Sequence, residues 1–216
     1  MLRVGLTGGL AAGKSSVTAL LAKKGAAVTD ADTIVASLYA PAGPGVARVV
    51  RLFGQEVLDP QGGVDRRKLA DLVTADPSRL RLLDEAVHPL VREAIEGWFA
   101  GLEGREKPMV AVVEAALLVE TGSFTQYHRL VVVTAPQQLR RQRALAAGFP
   151  PLLVEQLLAK QARDEEKARF AHYLLENSGS PAELVEKTQL LWQALLKDAE
   201  ALASGEALPQ GPAVRF

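Results

Sequence analysis

Apolar residues fall along this chain in two recurring patterns, short unbroken runs and helical stripes, and the two alternate. Leu2 to Leu6 is a short apolar run that ends in Thr7-Gly8-Gly9, which predicts a buried strand entering a Gly-rich turn. From Ser15 to Lys24 the residues Val17, Leu20 and Leu21 stand at helical spacing, and Gly25 supplies a stop. Ala27-Val28-Thr29 predicts a second strand that delivers Asp30 and Asp32. Met109 to Val113, bounded by Pro108 and Glu114, predicts a third; Leu130 to Val133 a fourth; Tyr173-Leu174-Leu175 a fifth. Strands that are apolar throughout and separated by helical stretches indicate a parallel sheet covered on both faces. The expected class is α/β, with a five-stranded parallel sheet.

The segment 41–107 is too long for a simple crossover. Helical patterns near 44–53, 66–74 and 78–102 make it a helical insertion, and His88-Pro89 predicts a break or kink in the last of them. Residues 150–170 predict a second helical excursion, and 181–203 an amphipathic helix carrying Leu184, Leu191, Leu195 and Leu202. The Gly- and Pro-containing remainder, 205–216, is expected to be a loose tail.

Composition narrows the function classes. The chain has 216 residues, 48% hydrophobic and 23% charged, as a globular domain with a sizeable core requires. Lys plus Arg equals Asp plus Glu at 25 each, which argues against a general nucleic-acid binder. The absence of Cys excludes disulfides, zinc-thiolate sites and cysteine nucleophiles. No apolar run reaches the roughly 18 residues of a membrane span, and the first residues lack the build of a signal peptide, so a cytoplasmic protein with no membrane partner is expected. The charge is unevenly spread. Residues 136–169 hold seven basic and four acidic groups, and 176–206 hold two and six. A basic segment is either a solvated helix face or a surface for polyphosphate.

Gly8-Gly9-Leu10-Ala11-Ala12-Gly13-Lys14-Ser15 fits G-x-x-x-x-G-K-[ST] at every fixed position. The glycines allow a tight turn whose N–H groups point at phosphate oxygens. The following helix offers its positive end to the same anion. Lys14 is a point charge for the β- and γ-phosphates, and the Ser15 hydroxyl suits Mg²⁺. Gly8, Gly9, Ala11, Ala12, Gly13, Lys14, Ser15 and Ser16 are thus the candidate nucleotide-binding residues. No N-K-x-D guanine reader exists in the chain, and large ATPases need more residues. A small-molecule kinase of the nucleoside monophosphate kinase type fits the size and the insertions.

Two carboxylates admit two readings each. Asp32, 18 residues after Lys14, either orients an acceptor hydroxyl at the carboxyl end of its strand or N-caps the helix that begins near Thr33. Glu114 either resembles a Walker-B acid that holds the water shell of Mg²⁺ or is a strand-end surface residue.

Taken together, the residues resemble the dephospho-CoA kinase family over nearly the whole chain. The resemblance runs from Val4-Gly5-Leu6-Thr7-Gly8-Gly9 and Gly13-Lys14-Ser15 through Asp30-Ala31-Asp32, Leu52-Phe53-Gly54 and Gly63-Val64-Asp65-Arg66. It continues through His88-Pro89 with Arg92, Leu117-Leu118 with Glu120-Thr121-Gly122, then Gln161 and Asn177. It implies a P-loop three-layer sandwich with a core over about 1–40, 108–136 and 171–204, a helical CoA-binding insertion over 41–107 and a lid over 137–170. It implies ATP and Mg²⁺ as cofactors, dephospho-CoA as acceptor, and a monomer or small homo-oligomer. Asp32, Lys14 and Arg140 would be catalytic, with Arg140, Arg141 or Arg143 on the ATP phosphates. Arg66, His88 and Arg92 would join Asp32 at the acceptor, and Ser15 and Glu114 would serve the metal. The chain departs from the family's usual residues at Glu114, Ala116, Leu145 and His172. Another small-molecule or nucleotide kinase and a non-catalytic nucleotide-binding module are the alternatives.

Overall fold

A computed structural model describes residues 1–74, 76–104 and 109–216, without the side chains of Pro77 and Lys160. The end of the expected insertion at 107, the restart of the core at 108 and the bounding Pro108 lie outside the described residues. The chain divides into two compact units, residues 1–29 with 104–216, and residues 30–103.

The first unit carries the sheet. Strands β1 (Leu2–Gly8), β2 (Ala27–Asp30), β3 (Val110–Glu114), β4 (Arg129–Thr134), β5 (Tyr173–Glu176) and β6 (Val214–Arg215) stand in the order β2-β3-β1-β4-β5-β6. β1 pairs in parallel with β3 and β4, β4 with β5, and β5 with β6. Helices α1 (Lys14–Lys23) and α9 (Pro181–Ala203) cover one face. There Leu2, Val4, Leu6, Val110, Val112, Val131, Val133 and Leu175 pack with Val17, Leu21, Leu191 and Leu195. These side chains are removed from water, and their burial is the main driving force for this layer. On the other face Leu118 and Tyr127 pack so closely over Gly5 that a Cβ there would lie 2.9 Å from each.

The sheet has six strands, where five were expected. The correction lies in the tail, expected to be loose. Phe216 N–H donates to Leu174 O at 3.0 Å and Glu176 N–H to Phe216 O at 3.3 Å. The Phe216 ring packs on the core. An edge strand leaves a row of unpaired backbone groups, and a short segment ending in an aromatic anchor can fill that row. Three residues are too few to show a strand pattern in sequence.

The second unit is helical: α2 (Ala31–Tyr39), α3 (Pro44–Phe53), a 3-10 turn (Gln55–Val57), α4 (Arg66–Thr74) and α5 (Pro77–Ala100). Val87, Leu90, Ile95 and Phe99 form the buried stripe of α5, on which α2, α3 and α4 pack. The break expected at His88-Pro89 does not occur, for α5 runs through Pro89. Proline removes one hydrogen bond and clashes with the previous turn; the apolar stripe on both sides of it outweighs that cost.

Beyond β4, the first unit continues with α6 (Gln137–Ala146), α7 (Pro151–Lys160) and α8 (Asp164–Ala168). No helix among the described residues is long and apolar enough to cross a membrane.

Two histidines tie the lower ends of the strands. His128 Nδ1 accepts from Arg3 N–H at 2.9 Å, and His172 Nδ1 accepts from Leu130 N–H at 3.0 Å. Burial lowers the pKa of both, and the charges of Arg3 and Arg129 lower them further. Their folded values lie below the unfolded one, so the folded state binds fewer protons. The stability they contribute is complete above the unfolded value and declines as pH falls through it. The expected result is a Tm that drops between about pH 7.5 and 5.5. His172→Asn, whose amide oxygen accepts the same bond, should flatten the slope; thermal melts across that range check it, and an unaltered slope would exclude His172.

Candidate functional site

The loop from Gly8 to Gly13 joins β1 to α1. Gly13 is the N-cap of α1 with φ 102°, left-handed backbone that glycine adopts without strain. Space also demands glycine there, because a Cβ would collide with Asn177 Nδ2. Ala11 holds φ 54° at the turn. The helix opens with Lys14 and Ser15, so the positive end of α1 stands at the end of the loop. Lys14 Nζ donates to Gly8 O at 3.2 Å and Gly9 O at 3.3 Å, folding the ammonium back over the loop.

Three side chains from later in the chain hold this loop. Gln161 Oε1 accepts from Leu10 N–H at 2.7 Å. Asn177 Nδ2 donates to Ala12 O at 2.8 Å. Arg140 covers the near end, so close to Gly9 that any side chain at that position would overlap its guanidinium. Arg140 itself is buried, donates from Nε to Ala135 O at 3.1 Å and lies 3.6 Å from Asp164 Oδ1.

The structure separates the three arginines that the sequence left undecided. Arg140 stands at the loop. Arg143 Nη1 donates to Asn177 O at 3.0 Å and lines a cavity with Gly13 and Lys14. Arg141 points elsewhere and makes a two-bond pair with Glu155 at 2.7 and 2.8 Å. Its charge is engaged within the helical segment and not over the loop.

Glu114, at the end of β3, is joined to α1. Ser15 Oγ donates to Glu114 Oε1 at 2.9 Å and Thr18 Oγ1 to Oε2 at 2.7 Å. A hydroxyl and a carboxylate side by side at the mouth of a phosphate loop are hard oxygen donors, the chemistry Mg²⁺ selects. The site residues fit the metal in this respect. Among the described residues no cluster of three or more His, Asp or Glu side chains that could hold a metal exists.

Two cavities are lined by these residues. One, of about 620 Å³, is lined by Gly13, Lys14, Ser15, Ser16, Lys23, Arg143, Asn177 and Pro181. The other, of about 870 Å³, lies under the α6–α8 segment and is lined by Arg140, Gln161, Asp164, Glu176 and Arg215. That segment is fixed at its base by Lys167. Its fully buried ammonium donates to Glu120 Oε1 at 2.7 Å and Ala116 O at 2.9 Å. Glu120 also accepts from Ala162 N–H at 3.0 Å, so the buried ammonium is paired and hydrogen-bonded as a buried charge must be.

In the helical unit, Asp30 caps α2 by accepting from Thr33 N–H at 2.7 Å. The capping reading of Asp32 is therefore corrected: α2 begins at Ala31, and Asp32 sits exposed in its first turn. Arg66 opens α4, and His88 and Arg92 follow one another by one turn on α5, all exposed. His88 Nε2 lies 3.8 Å from Asp84 Oδ1. Arg66 and Asp84 both act through space on the buried Tyr39 phenol, whose pKa burial raises.

Gln161, Asn177, Asp164 and Thr18 are site residues to which no role was given from sequence. Gln161 and Asn177 were visible as parts of the resemblance; nothing local marks Thr18 or Asp164.

The comparisons with known proteins agree with this geometry. The family model described as dephospho-CoA kinase matches residues 2–183. The dephospho-CoA kinase of Aquifex aeolicus is 37% identical over 198 residues, covering 92% of this chain and all of that one. That of Frankia casuarinae is 39% identical, covering 94% and 88%. Among solved structures, TT1252 from Thermus thermophilus superposes with a TM-score of 0.79 at 34% identity, covering 90% and 97%. The Campylobacter jejuni dephospho-CoA kinase shares the fold at a TM-score of 0.68 and 22% identity, covering 90% and 97%. A phosphate loop held by Arg140, Gln161 and Asn177, within a chain matched almost end to end, places this protein in the dephospho-CoA kinase family.

Proposed function

We propose that this chain transfers the γ-phosphoryl group of ATP to the 3′-hydroxyl of dephospho-CoA, giving CoA and ADP, the final step of coenzyme A synthesis. The observation that carries the reading is the braced phosphate loop in a chain of this family. In this reading the triphosphate lies in the turn between Gly9 and Ser16, with Lys14 on the β- and γ-phosphates. The nucleoside occupies the groove beside Ser16, Lys23, Arg143 and Pro181. Arg140, Arg141 and Arg143 belong to the lid, and Arg140, beside Gly9, is the one that meets the phosphates.

Phosphoryl transfer needs positioning and charge stabilisation more than covalent help. The acceptor 3′-oxygen forms a bond to the γ-phosphorus while the bond to the ADP oxygen breaks, and the acceptor proton passes to the Asp32 carboxylate. Arg66, His88 and Arg92 hold the acceptor's anionic part. Ser15 and Glu114 would hold Mg²⁺, which when bound neutralises charge on the phosphates. The enzyme is read as cytoplasmic, without nucleic-acid or membrane partners, as a monomer or small homo-oligomer. An ADP-release assay with ATP and a panel of acceptors tests the activity. Turnover with dephospho-CoA is expected; turnover only with a nucleoside or sugar would overturn it.

Glu114→Gln tests the metal reading. The amide can still accept from one hydroxyl but carries no charge. The Mg²⁺ concentration for half-maximal rate is expected to rise about tenfold or more, with KM for dephospho-CoA unchanged. A Mg²⁺ titration of both proteins checks it.

A further inference from the structure

The sixth strand ends on the segment that braces the phosphate loop, and that continuity has a functional reading. Asn177 follows β5 directly. Its side chain holds Ala12, its backbone oxygen accepts from Arg143, and it lines the groove beside Gly13 and Lys14. The residue before it, Glu176, is fixed from the outer side by Phe216 O, which accepts the Glu176 N–H. From α9, Lys187 Nζ donates to Glu176 O at 2.7 Å. Phe216 is anchored in turn. Its N–H donates to Leu174 O, and its ring stacks on Tyr173 with centroids 6.0 Å apart. Tyr173 does not yield, because its hydroxyl donates at 2.6 Å to Asp198, which is bound by the Arg129 guanidinium.

We propose that Val214, Arg215 and Phe216 are positioning residues for the nucleotide: by closing the outer edge of β5 they set where Asn177 and Arg143 meet the phosphate loop. This rests on the reading of that groove as the ATP site. The step from Phe216 to the loop is short, running from Phe216 O to Glu176 N–H and then through the neighbouring Asn177 side chain to Ala12. Every residue of this path belongs to the first unit, so the effect is expected on ATP and not on the acceptor.

The test compares the full chain with a chain ending at Pro212, with Phe216→Ala and with Phe216→Tyr. ATP affinity is measured by titration calorimetry, whose stoichiometry also counts the folded fraction. KM for ATP, KM for dephospho-CoA and kcat are measured well below the melting temperature. The expected result for the shortened chain and for Phe216→Ala is a Kd and KM for ATP raised about three- to tenfold, the effect of losing about one hydrogen bond's worth of order. The acceptor KM and kcat should stay within about twofold, and Phe216→Tyr should restore the ATP value. An unchanged Kd for ATP in both altered chains overturns the proposal. So does a loss of all three kinetic constants in proportion to the folded fraction, which marks the strand as structural only. Failure of the full chain to bind ATP would strike the proposed function instead, and is read from the same titration.

Discussion

Replacing Lys14 with alanine is expected to lower kcat/KM for ATP by a factor on the order of 10³, with ATP affinity reduced as well. The reason is electrostatic. The γ-phosphoryl group carries its charge on oxygens that the backbone N–H groups contact only as dipoles, whereas Lys14 supplies a full charge on a side chain rooted in the first turn of α1. Its ammonium bonds to Gly8 O and Gly9 O. Gly8 and Gly9 are buried, but both bonds are local to the loop, and Lys14 is no part of the core cluster that holds the sheet. The fold should therefore survive with a melting temperature within a few degrees of the parent. Lys14→Arg should not rescue the rate, since the planar guanidinium is larger than the compact ammonium the turn accommodates. Calorimetric ATP titration and steady-state kinetics on the two variants check this. Retention of both affinity and turnover in Lys14→Ala would remove the phosphate loop from the mechanism.

What could be read from sequence follows how far each determinant reaches along the chain. The phosphate loop is local: its glycines, its Lys and the helix behind it occupy eight consecutive positions, and a single run of residues specifies them. Strands β3 and β4 were legible because burial on both faces makes them apolar without interruption, as at Val110 to Val113, whereas the exposed β6 was not. The helices of the second unit were legible from their stripes, and α3 and α4 lie where the periodicity put them. What was hidden is set by long-range partners. Asn177 meets Ala12 across 165 positions and Gln161 meets Leu10 across 151; Ser15 and Glu114 were each offered to the metal from their own motifs, and only the hydrogen bond between them, across 99 positions, was hidden. No spacing rule connects residues so far apart. The choice among Arg140, Arg141 and Arg143 was closed for the same reason, because Glu155, which draws Arg141 away, stands on another helix. Pro89 shows the reverse case. A strong local signal for a break is overridden by the packing of Val87, Leu90 and Ile95 on either side. His172 reads as a departure from the family's usual residue and is a structural acceptor for Leu130 N–H.

The position of Asp32 leads to the second large effect. Asp30 makes the capping bonds of α2, so the two aspartates that frame Ala31 are separable by experiment. Among the described residues, Asp32 has no hydrogen bond or ion pair; it is an exposed carboxylate on the first turn of a helix. The helix dipole stabilises a negative charge there, but nothing in the fold requires it. Asp32→Asn is nearly isosteric and should leave the melting temperature unaltered. If the carboxylate orients and deprotonates the 3′-hydroxyl, kcat should fall by a factor on the order of 10² or more, with the KM and Kd for ATP retained. Asp30→Ala should behave differently. It removes a helix cap, costing about 1 kcal/mol, and should show mainly as a lower melting temperature. Measuring kcat, ATP affinity and Tm on both variants distinguishes chemistry from capping. Should Asp32→Asn turn over at the parent rate, the proton must leave the acceptor by another route and Asp32 has no part in the transfer. Should it lose ATP affinity along with rate, its charge acts on the nucleotide and the acceptor role is wrong. A drop confined to kcat, set beside an Asp30→Ala variant that loses stability but keeps most of its rate, assigns the proton to Asp32.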